Sequence, residues 1–239
     1  MPKLDNLRNE LKNAGNPEKA KILSRFFKTG KGEYGHGDVF LGITVPRQRE
    51  IARRYYDLPV TDVLELLKSK VHEERFTALV LLVHAYQKGD DSAKPKIFTQ
   101  YLKHAKWINN WDLVDTSTPQ IVGDWCFRQK DPDRLKRLAK SKDLWERRIG
   151  VLGTFTFIRN HDIQPALDVA EMLLNEKHDL IHKAVGWMLR EAHKRQAGPV
   201  HEFLDEHTHK MPRVMLRYAI EKLPEGERKS YLTESRRQS

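Results

Sequence analysis

Apolar residues along this 239-residue chain recur at helical spacing, and no stretch alternates cleanly with period two. Leu64 and Leu67, Leu135 and Leu138, and the set Leu167, Ala170, Leu173 and Leu174 each mark one face of a helix. Punctuation falls between these stripes. Asn16-Pro17-Glu18 reads as an N-cap, a proline in the first helical position and an acid in the first turn. Asp131-Pro132 repeats the device, Thr61-Asp62 opens another segment, and Gly15, Gly89 and Gly198 stand where helices should end. The pattern predicts an all-α chain of short helices, roughly 10–15 residues each, too short to bury a stripe alone.

Short helices that need neighbours point to repetition. Four segments align: "ERFTALVLL" at 74–82, "RRIGVLGTF" at 147–155, "HKAVGWMLR" at 182–190 and "LRYAIEKL" at 216–223. Phe76, Arg148, Lys183 and Arg217 then occupy equivalent places, separated by 72, 35 and 34 residues. The first gap is twice the others, so one unit belongs near residue 112, where "NWDLVD" stands. The period predicts a solenoid of HEAT-like antiparallel helix pairs, a single domain over 1–239 with 224–239 as a frayed tail. A compact helical bundle is the alternative. In a solenoid, Arg148, Lys183 and Arg217 stack along one face as a basic groove; otherwise each simply faces water.

Charge sharpens this picture. There are 43 Lys and Arg against 33 Asp and Glu, a formal net charge of +10, which points to a polyanionic partner, most commonly nucleic acid. A passive basic surface is the competing reading. The longest apolar run, "ALVLLV" at 78–83, is far short of the ~20 residues that span a bilayer. The N-terminus carries both charge signs without an apolar core, unlike a signal peptide. Cys126 is the only cysteine, which excludes intramolecular disulfides and Cys-rich zinc sites. A cytoplasmic location is expected.

Local chemistry is sparse. The glycine-rich "TGKGEYGHGD" at 29–38 lacks the G-x-x-x-x-G-K-[ST] order of a nucleotide loop. It reads as a mobile loop whose amides and Lys31 meet a phosphate backbone. The helix from Pro46 adds Arg47 and further arginines behind a positive N-terminus. Eleven histidines show no H-E-x-x-H and read as surface or capping residues; no metal is expected. Cys126, Trp107, Trp125 and Trp145 read as core. Trp111 stands four residues before Asp115 and Trp187 four after Lys183, so each shares a helical face with its charged partner.

"FLGITVPRQREI" at 40–51, "NWDLVD" at 110–115, "LWERR" at 144–148 and "HKAVGWMLREA" at 182–192 closely resemble the AlkD family of alkylpurine DNA glycosylases, in order along nearly the whole chain. The resemblance implies a curved superhelix of HEAT-like pairs and excision of positively charged N3- and N7-alkylated purines from double-stranded DNA. It matches Asp115 to the family's essential carboxylate, Trp111 and Trp187 to its active-site tryptophans, and Arg148 to an arginine that contacts the DNA backbone. Phe26 stands where the family often has tyrosine, removing one hydroxyl contact. The family catches lesions without a base pocket. Lys183 and Arg217 join Arg148 as phosphate contacts, and Asp112 is expected to bond backbone or a neighbouring helix. No lysine adjoins Trp111 and Asp115 in sequence, which favours a monofunctional glycosylase. No cofactor and no obligate protein partner are implied; a monomer associated with the nucleoid when bound to DNA is expected. The alternative is a non-catalytic helical-repeat scaffold binding nucleic acid or an acidic protein; no repeating base-reading code favours RNA.

Overall fold

The computed structural model describes residues 2–237. They form helices joined by turns; one isolated bridge, Val39 to Val71, is the sole β-type pairing among them. The helices gather into two compact units, the first ending at Ile121 and the second beginning at Val122.

The first unit holds α1 (Pro2–Asn13), α2 (Pro17–Phe26), α3 (Val45–Arg53), α4 (Val60–Leu66), α5 (His72–Lys88), α6 (Ala93–Lys103) and α7 (Trp111–Thr118). Asn16 caps α2 as its sequence requires, accepting the Lys19 amide at 2.9 Å. Helix α5 is the hub, packed against α3, α4, α6 and α7. Its run Phe76 to Leu82 is buried without interruption, the mark of a helix surrounded on all sides. Helix α7 ends where Pro119, lacking an N–H, cannot donate to the Asp115 carbonyl; a π-helical turn, Pro119–Gly123, follows.

The second unit holds α8 (Asp124–Arg128), α9 (Asp133–Ala139), α10 (Leu144–Arg159), α11 (Gln164–Met172), α12 (Asp179–His193), α13 (Ala197–His207), α14 (Arg213–Ala219) and α15 (Glu225–Arg237). Here α10 is central, against α9, α11 and α12, and α12 in turn packs on α14. Glycines permit the closest approaches. A Cβ on Gly150 would lie 2.5 Å from the Ala139 nitrogen, and one on Gly186 would lie 2.4 Å from the Met215 carbonyl oxygen.

Boundaries depart from expectation in three places. Gly198 lies inside α13, near its start; α12 has already ended at His193. Helix α4 begins at Val60, before Thr61-Asp62, because Pro59 already fixes the entry. The tail expected to fray over 224–239 is, in its described part, helix α15. It is docked by Tyr231, which is buried and donates to Asp205 Oδ1 at 2.7 Å. Residues 238–239 lie outside the described residues.

Helix propensity alone would make Gly186→Ala stabilising by about 1 kcal/mol. The packing predicts the opposite sign, because the new methyl meets backbone of α14 and the Cβ of Tyr218, 2.5 Å away. Urea unfolding of the variant should show a loss of about 1–3 kcal/mol.

Candidate active site

Equivalent places in the repeat resolve into one structural position. Phe76 is the fifth residue of α5, Arg148 of α10, Lys183 of α12 and Arg217 of α14. The fifth residue of α7 is Asp115. A carboxylate thus occupies the place that carries a cation in three other helices. Trp111 opens α7 one turn earlier; Asn110, fully buried, caps the helix by accepting the Trp111 amide at 2.8 Å. Trp111 and Asp115 are both half-buried. Near the end of α7, Ser117 and Thr118 share the hydroxyl of buried Tyr101 from α6, at 2.8 and 2.9 Å. Burial, with the negative charge of Asp115 adding to it, pushes the Tyr101 phenol up to about 12 despite those two bonds.

The first turn of α7 is anchored by charge. Asp112 Oδ2 meets His72 Nε2 at 2.8 Å, and the other ring nitrogen of His72 lies 3.1 Å from Asp38 Oδ2. Arg75, one turn along α5, pairs with the same Asp38 oxygen at 2.7 Å. Burial works against a charged imidazole here, but the two carboxylates outweigh it and raise the His72 pKa above its ordinary value. Burial would likewise raise the Asp38 carboxyl; His72 and Arg75 overcome it and hold it below the usual range. Asp112 therefore binds a neighbouring helix, as well as the Leu113 amide at 2.9 Å.

Rings continue what the charges begin. Trp111 stacks on Phe27 at 5.2 Å between centroids, Phe27 on Phe40 at 5.1 Å, and Phe40 on His72 at 4.6 Å, with interplanar angles of 19°, 17° and 20°. Phe26 stands edge-on to both Phe27 and Trp111 and is 61% exposed. Phe27 also touches the His72 ring, at 4.8 Å and 36°, and beside this cluster opens a mainly apolar cleft of about 390 Å³, walled by Ile22, Phe26, Val45, Phe76, Trp111 and Thr116 among others. The loop over 29–44 is tied down at its end by buried Glu73, whose carboxylate accepts the amides of Leu41, Gly42 and Ile43 at 2.9, 2.7 and 3.2 Å. Gly42 is obligatory there: its φ is +84° and a Cβ would sit 2.1 Å from the Asn16 carbonyl oxygen.

Other expected contacts fare differently. In the loop, the amides of Gly30, Glu33, Gly35, His36 and Asp38 bond within the loop or to Lys28, so they do not form an open phosphate cradle; the Lys31 residue remains exposed. Arg47 is exposed and paired with Glu50 at 2.6 Å. The basic face of the second unit is not uniform. Arg148 is only 4% exposed, and its Nη1 donates to the Leu180 carbonyl, tying α10 to the first turn of α12. Lys183 is half-buried and paired with Asp179 at 2.6 Å; Arg217 is exposed. Trp187 is half-buried, donates to Glu191 Oε1 at 3.2 Å, and lies 5.9 Å from the ring of Phe155. Cys126 is fully buried and its thiol is pushed up to about 12, chiefly by burial, so it is an inert core residue. Trp145 is core, whereas Trp107 and Trp125 are only half-buried.

A sequence model described as DNA alkylation repair enzyme matches residues 7–223. The chain belongs to this family. Among solved structures it is similar to a predicted DNA alkylation repair enzyme from Enterococcus faecalis, at 18% identity and a TM-score of 0.68, over 88% of this chain and 97% of that one. At that identity the likeness speaks for the fold. No curated protein matches.

As a DNA alkylation repair enzyme, the protein has damaged DNA as its substrate class. No helix among the described residues is long and apolar enough to cross a membrane. Within that setting, Trp111, Asp115 and Phe26 stand in the first unit, and Arg148, Lys183, Trp187 and Arg217 in the second. The sequence reading missed His72, taken with the other histidines as a surface or capping residue. The available signal was "HEER" at the head of an otherwise apolar helix, since charges on a helix that is buried all round must find partners.

The signs of the two shifts define a pH window. The raised pKa of His72 means that its ion pairs stabilise fully below the ordinary 6.5 and fade as pH climbs through the raised value. The lowered pKa of Asp38 means that its contribution is complete above the ordinary 3.8 and is lost as pH falls through the lowered value. At about pH 6 the substitution His72→Phe should therefore cost about 3–5 kcal/mol, leaving two buried carboxylates against one arginine. The gap from the wild type should narrow at alkaline pH, as followed by urea unfolding. A flat difference across pH would show that His72 does not titrate in that window.

Proposed function

We propose that this protein is a monofunctional DNA glycosylase that hydrolyses the N-glycosidic bond of positively charged N3- and N7-alkylated purines. The observation that carries this reading is the carboxylate of Asp115 at the repeat position held by Arg148, Lys183 and Arg217 elsewhere, one helical turn from Trp111.

The chemistry suits one carboxylate. An alkylated purine already carries positive charge. When the bond from C1′ to nitrogen breaks, the bonding electrons go to the base and it leaves neutral, so no general acid is needed. The sugar becomes oxocarbenium-like. Asp115 faces that growing charge and accepts a proton from the water that adds at C1′, leaving an abasic sugar and a free base. Trp111 offers an electron-rich face to the cation, worth ~0.5–2 kcal/mol; Trp187 is the corresponding candidate ring on the second unit. Exposed cations such as Arg217 and Lys31 hold phosphates; Lys183 joins by exchanging its present carboxylate partner for phosphate, whereas Arg47 stays paired with Glu50. Arg148, being buried, serves through the backbone it braces or reaches DNA only after releasing the Leu180 carbonyl. Phe26 supplies a ring edge beside Trp111 in place of a hydroxyl.

Methylated duplex DNA incubated with the wild type should release 7-methylguanine or 3-methyladenine, detected by mass spectrometry. Asp115→Asn should lower the single-turnover rate by about 10²–10³-fold, the scale of losing one preorganised electrostatic group. An inactive wild type that still binds DNA would favour the non-catalytic scaffold, and a fully active Asp115→Asn would remove the role given to the carboxylate. Trp111→Ala should lose roughly two- to thirty-fold, following the cation–π scale.

A further inference from the structure

On the first unit a second recess, of about 210 Å³, adjoins α7 and differs in kind from the apolar cleft. Its walls are Arg49, Tyr56, His84, Gln87, Thr116 and Gln120, closed by two valines. Thr116, the residue after Asp115, lines both recesses. No acid lines this one, although the chain has 33 of them. Its polar groups are two nitrogen-bearing cationic or cation-forming side chains, two amides, a hydroxyl and a phenol.

The two nitrogen groups are held in place without a carboxylate. Arg49 lies over the ring of Phe76, 5.5 Å from its centroid, while Arg47 and Arg54 beside it are ion-paired to Glu50 and Glu10. His84 stacks on Tyr56 with centroids 3.6 Å apart and planes 4° from parallel. Among the described residues neither Arg49 nor His84 has an acidic partner, so both keep donors for a ligand. Gln120 has its amide oxygen buried without a hydrogen-bond partner. Gln87 and Gln120 each add a side-chain amide, with N–H donors, to the wall.

We infer that this recess is a phosphodiester-binding subsite, in which Arg49 and His84 grip a DNA backbone phosphate next to the nucleotide facing Asp115. The inference rests on the proposed function for the identity of the polymer. It also moves the α3 contact from Arg47 to Arg49. An arginine already paired with a carboxylate must give up that pair to bind phosphate, whereas one resting on a phenyl ring can bind while staying there.

The test uses the full-length protein and an undamaged fluorescein-labelled duplex, with Kd measured by anisotropy across a salt series. Each phosphate neutralised contributes a slope of about 0.9 in log K against log salt. Arg49→Gln should weaken binding about tenfold at low salt and reduce the slope by about one unit. His84→Ala should weaken binding about two- to fivefold. Arg47→Gln should change Kd by less than about twofold, and Arg49→Lys should keep most of the slope, with thermal melts showing that all four variants are folded. An unchanged slope in Arg49→Gln, or a loss concentrated in Arg47→Gln, would overturn the assignment. So would tight binding of inorganic phosphate that Arg49→Gln abolishes, which would make the recess a small-anion site. Base release from methylated DNA is measured in parallel. If it fails while the Arg49 slope effect persists, the glycosylase reading falls and the subsite stands; the reverse result removes only the subsite.

Discussion

The first unit depends on a buried imidazole held between two carboxylates. His72 heads the central helix, Asp38 comes from the long loop before α3, and Asp112 comes from the first turn of α7. With Arg75 added, protonation of His72 sets two cations against two anions and makes the cluster neutral as a set. That balance makes burial tolerable, because an unpaired charge in this position would carry the whole desolvation penalty. Glu73, the neighbouring buried charge, is balanced differently: three backbone amides point at it, and they belong to the loop that the cluster also holds. Loop, hub and α7 are fixed relative to one another by a handful of polar contacts in a largely apolar surrounding.

A cluster of rings carries that fixation to Trp111. His72, Phe40 and Phe27 pack against one another, with all three centroid separations between 4.6 and 5.1 Å, and Phe27 stacks in turn on Trp111. When the imidazole is protonated it favours the aromatic faces laid against it, so charge and stacking then reinforce each other. Trp111 is thereby set from two sides: its backbone through Asn110 and Asp112, its ring through Phe27. A tryptophan meant to present a face to a cation needs this, because the attraction depends on ring orientation and a freely rotating indole would lose most of it.

Periodicity made the all-α class and the main helices legible, since a 3.6-residue stripe survives in any helix that buries one face. It also located the register: Phe76, Arg148, Lys183 and Arg217 are the fifth residues of their helices, and Asp115 is the fifth residue of α7 near the expected place of the remaining unit. Ends were less legible. Gly198 and Thr61 carry end-type chemistry but lie just inside helices, because a proline or an extended residue upstream had already set the start. The His72 cluster was invisible to the repeat reading for a geometric reason. A repeat compares equivalent positions, whereas these ties span 34 and 40 residues between unlike ones. Arg148 shows the converse. Its position was read correctly and its environment was not, since an arginine long enough to reach phosphate is also long enough to reach the Leu180 carbonyl.

Net charge alone overstates what the surface offers to a polyanion. Of the 43 basic residues, many stand in ion pairs: Arg47 with Glu50, Lys183 with Asp179, Lys136 with Asp133 and Asp168. A paired cation gains from phosphate only the difference between two partners, so the useful field comes from cations held without acids. Arg49 over Phe76 is such a case, and no acid lines its recess. Asp115 gains from the same distribution. Phosphates fixed by cations elsewhere would bring a sugar to α7 without neutralising this carboxylate, so its charge would remain available for the bond that is about to break.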